Sequence, residues 1–105
     1  MAIPERKDLM AREIARAAGL FIARESNKQS LITVIHVDVS PDFTNAIIYV
    51  SVLPEANEAP ALDFLKRQRG DFRSWVAKEL RFKRVPTFDF QLDVGEKNRR
   101  QVQNL

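Results

Sequence analysis

The sequence contains no cysteine. This absence excludes disulfide bonds, thiolate metal sites and cysteine nucleophiles, and it is typical of a chain that folds in a reducing compartment. No run of residues approaches the ~18 consecutive apolar residues of a membrane span, and the N-terminus turns charged at once, without the apolar core of a signal peptide. With 105 residues, we expect a single domain located in the cytoplasm, with no membrane partner.

Residues suited to catalysis are also scarce. The only histidine, His36, lies in an alternating strand pattern with no serine or metal-ligating partner nearby, which favours a structural role. Asp38 and Asp42 are a strand residue and a turn residue, and the second is suited to a turn-forming side-chain bond. The three glycines are isolated, so no phosphate-binding glycine loop is present. We therefore expect no enzymatic activity, no catalytic residue, no metal site and no cofactor.

Positive charge is unevenly placed along the chain. The formal net charge is only +3, and residues 29–65 contain no lysine or arginine. Residues 66–84 contain eight cations against two anions, Asp71 and Glu79. A basic patch of this density favours a polyanion, and nucleic acid is the first candidate. The alternative is a solvated helix face that binds nothing.

Apolar periodicity in the first half of the chain predicts a helix followed by two strands. Ile14 and Phe21 belong to a face with helical spacing, which predicts a helix from about Ile3 to Arg24. The next run alternates apolar and polar residues, with Ile35, Val37 and Val39 on the predicted buried face. Residues 45–53 are largely apolar or β-branched, as in a central strand, and the short link between the two runs predicts an antiparallel hairpin.

The second half predicts two helices and a strand. Pro60 suits the start of a helix that runs to about Gln68, and Gly70 marks a kink or a junction with a second helix, which Asp71 could cap. The core face of the second helix would comprise Phe72, Trp75, Val76 and Leu80, and we expect this helix to continue until Pro86 stops it. Period-two spacing of Phe88, Phe90, Leu92 and Val94 then predicts a strand.

These elements have the order α-β-β-α-α-β, which predicts an α+β domain with helices packed on one face of a three-stranded sheet. We expect residues 1–94 to form the domain and residues 95–105 to form a loosely ordered tail. Trp75 is expected to pack in the core rather than to stack on bases. Glu79 falls within the apolar arc, so either it pairs with Lys83 at the helix margin or it marks where the helix leaves the core.

Two motifs in the sequence resemble the bacterial ribosome-binding factor A family. The first is Val37-Asp38-Val39-Ser40-Pro41-Asp42, followed by Ala46 and Tyr49-Val50-Ser51-Val52. The second comprises Gly70, Phe72-Arg73, Lys78 and Leu80, then Lys83-Arg84-Val85-Pro86 leading into Phe90. The resemblance extends from about Arg6 to Leu92. It implies a type II KH-like fold in which a helix–kink–helix replaces the GXXG loop of ordinary KH domains.

The resemblance also implies binding to the small ribosomal subunit and its rRNA, with help in late maturation that includes processing near the 5′ end of the rRNA. The family kink usually reads Ala-x-Gly, and Gln68-Arg69-Gly70 stands at that position here. Gln68 replaces the small residue, which leaves the geometry of the kink open. No catalysis is implied, and we expect a monomer.

The charge pattern places the predicted RNA face on the basic residues Lys66, Arg67, Arg69, Arg73, Lys78, Arg81, Lys83 and Arg84. From Arg73 onward we expect them to project from one helix. Two other functions stay open at this point. The chain could be a general KH-type RNA or single-stranded DNA binder without a ribosomal role, or a protein-interaction domain whose acidic strand face, at Asp38 and Asp42, meets a basic partner.

Overall fold

The computed structural model describes residues 5–94. Its elements are α1 (Arg6–Glu25), β1 (Leu31–Val39), β2 (Asn45–Leu53), a 3-10 turn (Glu55–Asn57), α2 (Glu58–Arg67), α3 (Arg69–Glu79) and β3 (Thr87–Leu92). This order confirms the predicted α-β-β-α-α-β arrangement. The predicted tail, residues 95–105, lies outside the described residues.

The three strands form one sheet with β2 at its centre. β1 and β2 are antiparallel, with Leu31 opposite Leu53 and Val39 opposite Ala46, which confirms the predicted hairpin. β3 runs parallel to β2. Parallel neighbours require a crossover connection, and the crossover here contains α2 and α3. These helices share one core with α1 on the same face of the sheet, because Phe72 of α3 contacts both Phe21 of α1 and Phe88 of β3.

The core lies between that face and the helices. Alternate residues of β2 are buried: Ala46, Ile48, Val50 and Val52. The fully buried Phe72 of α3 is central, because its ring centroid lies 5.2 Å from that of Phe21 and 4.8 Å from that of Phe88. The half-buried Trp75 ring lies 5.8 Å from Phe21. Trp75 is therefore a core residue, as predicted.

A β-bulge in β1 corrects the face predicted for Ile35. The register between β1 and β2 shifts between Val34 and His36, and the Ile35 side chain is 45% exposed. Ile32 and Val34 pack against the core before the bulge, and Val37 does so after it. The inserted residue changes the phase of the period-two alternation, so the buried face predicted for Ile35 was wrong, whereas Val37 and Val39 pack on the core side as predicted.

The predicted continuation of the second helix to Pro86 was also wrong. α3 ends at Glu79, and Arg81 has a left-handed backbone with φ of 51°, which an α-helix cannot contain. A continued helix would turn Val85 away from the face that Phe72 buries, whereas in the actual loop Val85 packs against the core. Residues 80–86 therefore form a loop, hereafter the 80–86 loop. Glu79 is exposed at the helix end, so it marks where the helix leaves the core.

The junction between α2 and α3 lies at Gln68, not at Gly70. Gln68 has φ of −88° and ψ of 1°; its N–H donates to the Phe64 and Leu65 carbonyls, and its carbonyl accepts the Phe72 N–H. One non-helical residue thus ends α2 and begins α3. Gly70 is an ordinary helical residue without a positive φ. The predicted cap, Asp71, lies in the first turn of α3, and Gln68 at the N-cap position forms no side-chain capping bond.

Three element boundaries differ slightly from the sequence predictions. α1 begins at Arg6 because Glu5 has an extended backbone, and α2 begins at Glu58, before Pro60. β3 ends at Leu92, and Val94 is exposed beyond it. The last paired position of β3 is Leu92 opposite Val50, so residues beyond it no longer extend the parallel ladder.

Candidate nucleic-acid interface

The structure divides the predicted RNA face among three elements. Lys66 and Arg67 end α2; Arg69, Arg73 and Lys78 belong to α3; and Arg81, Lys83 and Arg84 lie in the 80–86 loop. The expectation that one helix carries all the later cations is therefore corrected, because the last three leave the helix. We call Arg81, Lys83 and Arg84 the loop cations.

At the helix junction, two cations converge on one carboxylate of β3. Lys66 Nζ lies 2.9 Å from Asp89 Oδ1, and Arg69 Nη1 lies 3.2 Å from the same oxygen. Arg69 Nε also donates to the Lys66 carbonyl at the end of α2, at 2.9 Å. These bonds tie the junction to the sheet and neutralise part of its charge. We call Lys66 and Arg69 the junction cations.

Asp89 is held in its charged form by this arrangement. Partial burial raises the pKa of its carboxyl group, but hydrogen bonds from Lys66 and Gln91 and the charge of Lys66 outweigh burial. The Phe90 N–H adds a further bond at 2.9 Å, and the net pKa is below its ordinary value. The carboxylate is therefore ionised at neutral pH and serves as the counter-ion of the junction.

Arg73 of the predicted RNA face also bonds to the backbone of the 80–86 loop. Its Nε donates to the Pro86 carbonyl at 3.2 Å and its Nη2 donates to the Val85 carbonyl at 3.1 Å. The guanidinium fork thus joins α3 to the C-terminal end of the 80–86 loop. Arg73 positions the loop that carries the loop cations, while part of its side chain remains exposed.

The remaining predicted cations are exposed. Lys78 lies in the last turn of α3, and Arg67 lines a shallow groove of about 320 Å³ beside Glu25 and Asn57. Within residues 5–94, neither of them nor any loop cation forms an ion pair within 4.0 Å. These side chains can therefore meet a phosphate without first breaking an ion pair to a described residue.

The loop cations border an open groove of about 500 Å³ between the 80–86 loop and the start of α1, which we call the basic groove. A fourth cation, Arg6, lies on its α1 side. The apolar lining consists of Leu9, Met10, Phe43 and Phe82, and Glu13 is its one acidic residue. Sequence reasoning missed Arg6, Leu9 and Phe43, because they are distant in the sequence from the basic stretch.

The hairpin loop between β1 and β2 fixes Phe43 at this groove. Asp42 Oδ1 accepts the Ser40 and Thr44 hydroxyls, each at 2.8 Å, and the Thr44 N–H at 3.2 Å. This is the side-chain turn predicted for Asp42. The Thr44 and Ser40 hydroxyls and the Thr44 N–H lower the pKa of Asp42 below its ordinary value. Asp42 thus stabilises its own loop, whereas Asp38 is exposed on β1.

No catalytic or metal-binding cluster accompanies these features in the part of the chain that is described. Residues 5–94 contain no group of three or more His, Asp or Glu side chains arranged to hold a metal ion. His36 is exposed and stacks on Tyr49, with ring centroids 4.4 Å apart. None of the described helices is long and apolar enough to cross a membrane.

Comparison with known proteins gives the context for this surface. Residues 6–105 match the family model described as Ribosome-binding factor A. The protein of that name from Fervidobacterium nodosum is 40% identical over 68 residues, which are 64% of this chain and 54% of the relative. The chain thus spans about half the length of the first curated relatives that it matches.

Solved structures agree in fold. The crystal structure of ribosome-binding factor A from Thermus thermophilus superposes with a TM-score of 0.75 at 26% identity, over 84% of this chain and 97% of that one. A homology model of the factor from the same species, fitted into a cryo-EM map of a 30S–RbfA complex, gives 0.71 at 24% identity, over 84% and 96%. These likenesses confirm the predicted KH-like fold. The chain belongs to the ribosome-binding factor A family, which is not a class of enzymes.

Proposed function

We propose that this protein is an assembly factor that binds the free small ribosomal subunit and its rRNA and assists late maturation, including processing near the 5′ end of the rRNA. The observation that carries the proposal is the exposed set of loop cations, which have no ion-pair partner among the described residues, in a chain of the ribosome-binding factor A family. A Thermus thermophilus relative is described in a complex with the 30S subunit, which supports the choice of partner.

The mechanism is attachment through phosphates. The loop cations, together with Lys78 and Arg67, would contact the rRNA backbone, while Lys66, Arg69 and Arg73 hold the junction and the loop in place. Phosphate contacts position a protein on RNA without reading its sequence, so recognition would rest mainly on RNA shape. Nothing in this mechanism requires a second copy of the chain, and we propose that it acts as a monomer.

The test is co-sedimentation of the full chain with free small subunits, with mature ribosomes and with isolated rRNA. The proposal expects a clear preference for free small subunits. Binding to short oligonucleotides about as tight as binding to free small subunits would instead indicate a general KH-type RNA or single-stranded DNA binder. Loss of subunit binding in Asp38→Asn, with binding kept after changes in the loop cations, would indicate a protein-interaction domain.

A further inference from the structure

The basic groove combines positive charge with apolar surface, whereas a site for phosphate alone needs only the charge. Its rim carries Arg6 and the loop cations, and its lining includes Leu9, Met10, Phe43 and Phe82. Met10, Phe43 and Phe82 pack against the core and are half-buried, so each still presents part of its apolar surface to the groove. Leu9 is 48% exposed. A ligand that matches this site needs both negative charge and a flat or compact apolar part.

Backbone strain is concentrated at the same groove. Only three non-glycine residues among those described have a positive φ, and two of them, Phe43 at 64° and Arg81 at 51°, line the groove. A left-handed backbone is costly for a bulky side chain, and such strain is typical of functional sites. The Ser40–Asp42–Thr44 hydrogen bonds stabilise the loop that holds Phe43 in this conformation.

We propose that the basic groove binds an unpaired RNA nucleotide, with the base against Phe43, Phe82 and Leu9 and the flanking phosphates on Arg6 and the loop cations. This inference rests on the proposed function and adds to it a base-binding site. Unstacked bases are commonly held on aromatic side chains and guanidinium planes. A volume of about 500 Å³ lies within the usual range of ligand sites, ~300–1,000 Å³.

Charge complementarity favours an anionic occupant, and the aromatic lining by Phe43 and Phe82 favours RNA over an acidic peptide. Four cations oppose the single carboxylate of Glu13 around the groove. The exposed Lys78 adds a further cation two residues before the 80–86 loop. An acidic peptide is the competing occupant, and the experiment below includes it.

The test compares two leucines on the same helix. Leu9→Ala removes apolar surface from the groove, and Leu20→Ala removes it from an equally exposed position (55%) that does not line the groove. The probes are a labelled ten-nucleotide single-stranded RNA and an RNA duplex with the same number of phosphates, followed by fluorescence anisotropy. We expect Leu9→Ala to weaken single-strand binding about fivefold and to leave duplex binding unchanged. Leu20→Ala should change neither.

A second measurement uses the unmodified chain. Two-dimensional NMR of the labelled protein should show the single-stranded RNA shifting the amides of Leu9, Phe43 and Phe82, which inorganic phosphate alone should not do. The inference is overturned if strand and duplex bind equally and those amides do not move. It is also overturned if a leucine-containing acidic peptide shifts them and the RNA does not.

Sedimentation with free small subunits separates this inference from the proposed function. If the chain binds free subunits but Leu9→Ala and Leu20→Ala bind the single strand alike, the base site is wrong and the assembly role stands. If single-strand binding depends on Leu9 but the chain does not sediment with free subunits, the assembly role is wrong and the base site stands.

Discussion

The helix junction and the 80–86 loop are both strongly basic, yet their cations are placed in opposite ways. Lys66 and Arg69 of the junction share Asp89 at 2.9 Å and 3.2 Å. The loop cations have no carboxylate within 4.0 Å among the described residues. The junction cations therefore act first on the fold, while the loop cations are available for a ligand.

From this difference we predict that a count of basic residues overstates an RNA face. A cation that already has a carboxylate partner must exchange that partner for a phosphate, and the exchange releases fewer counterions than binding by a free cation does. Arg73 adds an intermediate case, because it bonds only to the Val85 and Pro86 carbonyls and so positions the 80–86 loop. The predictions below test this division, from the largest expected effect to the smallest.

Replacing all three loop cations with glutamine should weaken binding to free small subunits about 100-fold near physiological salt, because three phosphate contacts are lost. The thermal midpoint should change little, since these side chains are exposed and form no ion pair to a described residue. Affinity is measured by a filter-binding or sedimentation titration.

The matched control for that change replaces Lys7, Arg12 and Lys28, three cations that lie outside the basic groove and form no ion pair to a described residue, with glutamine. It removes the same charge and should reduce affinity only a few fold. Equal losses in the two triple variants would mean that net charge, rather than the loop, determines binding.

Asp89→Ala should lower the free energy of unfolding by about 2 kcal/mol, because two cations lose their carboxylate partner. Thermal or denaturant unfolding gives the value. Asp38→Ala, which removes an exposed carboxylate from β1, is the control, and we expect the loss at Asp89 to be the greater. If Asp89→Ala unfolds like the unmodified chain, the junction cations are not structural.

The same carboxylate gives a pH dependence. Because the pKa of Asp89 is lowered in the folded protein, its stabilisation is complete above the unfolded pKa and is lost as the pH falls through the lower, folded pKa. Asp89→Asn should therefore lose less stability than the unmodified chain over that acidic range. If the free energy of unfolding falls equally with pH in the two proteins, Asp89 is not the source of this pH dependence.

Arg73→Lys should lower the free energy of unfolding by about 1 kcal/mol, because an ammonium group cannot reproduce the two-carbonyl fork. For a domain of this size, that is a fall of about 4–8 °C in the thermal midpoint. Arg12→Lys, a change at an exposed position of α1, is the control and should leave the thermal midpoint unchanged. NMR shifts confined to the 80–86 loop in Arg73→Lys would identify the positioning role.

Gly70→Ala should raise the free energy of unfolding by about 0.5–1 kcal/mol. Gly70 is helical, and apart from its chain neighbours and the backbone of its own helix no atom lies within 4 Å of an added Cβ. Gly19→Ala in α1 has equally open surroundings and should stabilise similarly. Subunit affinity should stay within about twofold for both variants. A loss of affinity in Gly70→Ala alone would show that RNA approaches the junction closely.

The sequence predicted the architecture well, because each strand and helix follows a clear apolar period. Ile35 shows one limit: a bulge changes the phase of a strand, and the hydrophobic pattern alone does not reveal where an extra residue is accommodated. The end of α3 shows another. Helical propensity continues past Glu79, but packing of Val85 against the core requires a loop, and tertiary packing overrides local preference.

The candidate site was only partly predictable. The basic stretch was visible in the sequence, but the partners of its cations were not, since Asp89 lies about 20 residues from the junction cations. The groove combines α1, the hairpin loop and the 80–86 loop. Only the folded chain brings Leu9, Phe43 and Phe82 together, so no local sequence motif could have predicted the groove.

The most direct test of the division between junction and loop is the salt dependence of subunit binding. The slope of log K against log salt falls by roughly 0.7–0.9 for each phosphate contact removed. We predict that the loop triple variant reduces the slope by about 2–3, while Lys66→Gln combined with Arg69→Gln leaves it nearly unchanged, measured where both variants are fully folded. A larger slope change in the junction variant than in the loop variant would contradict the account.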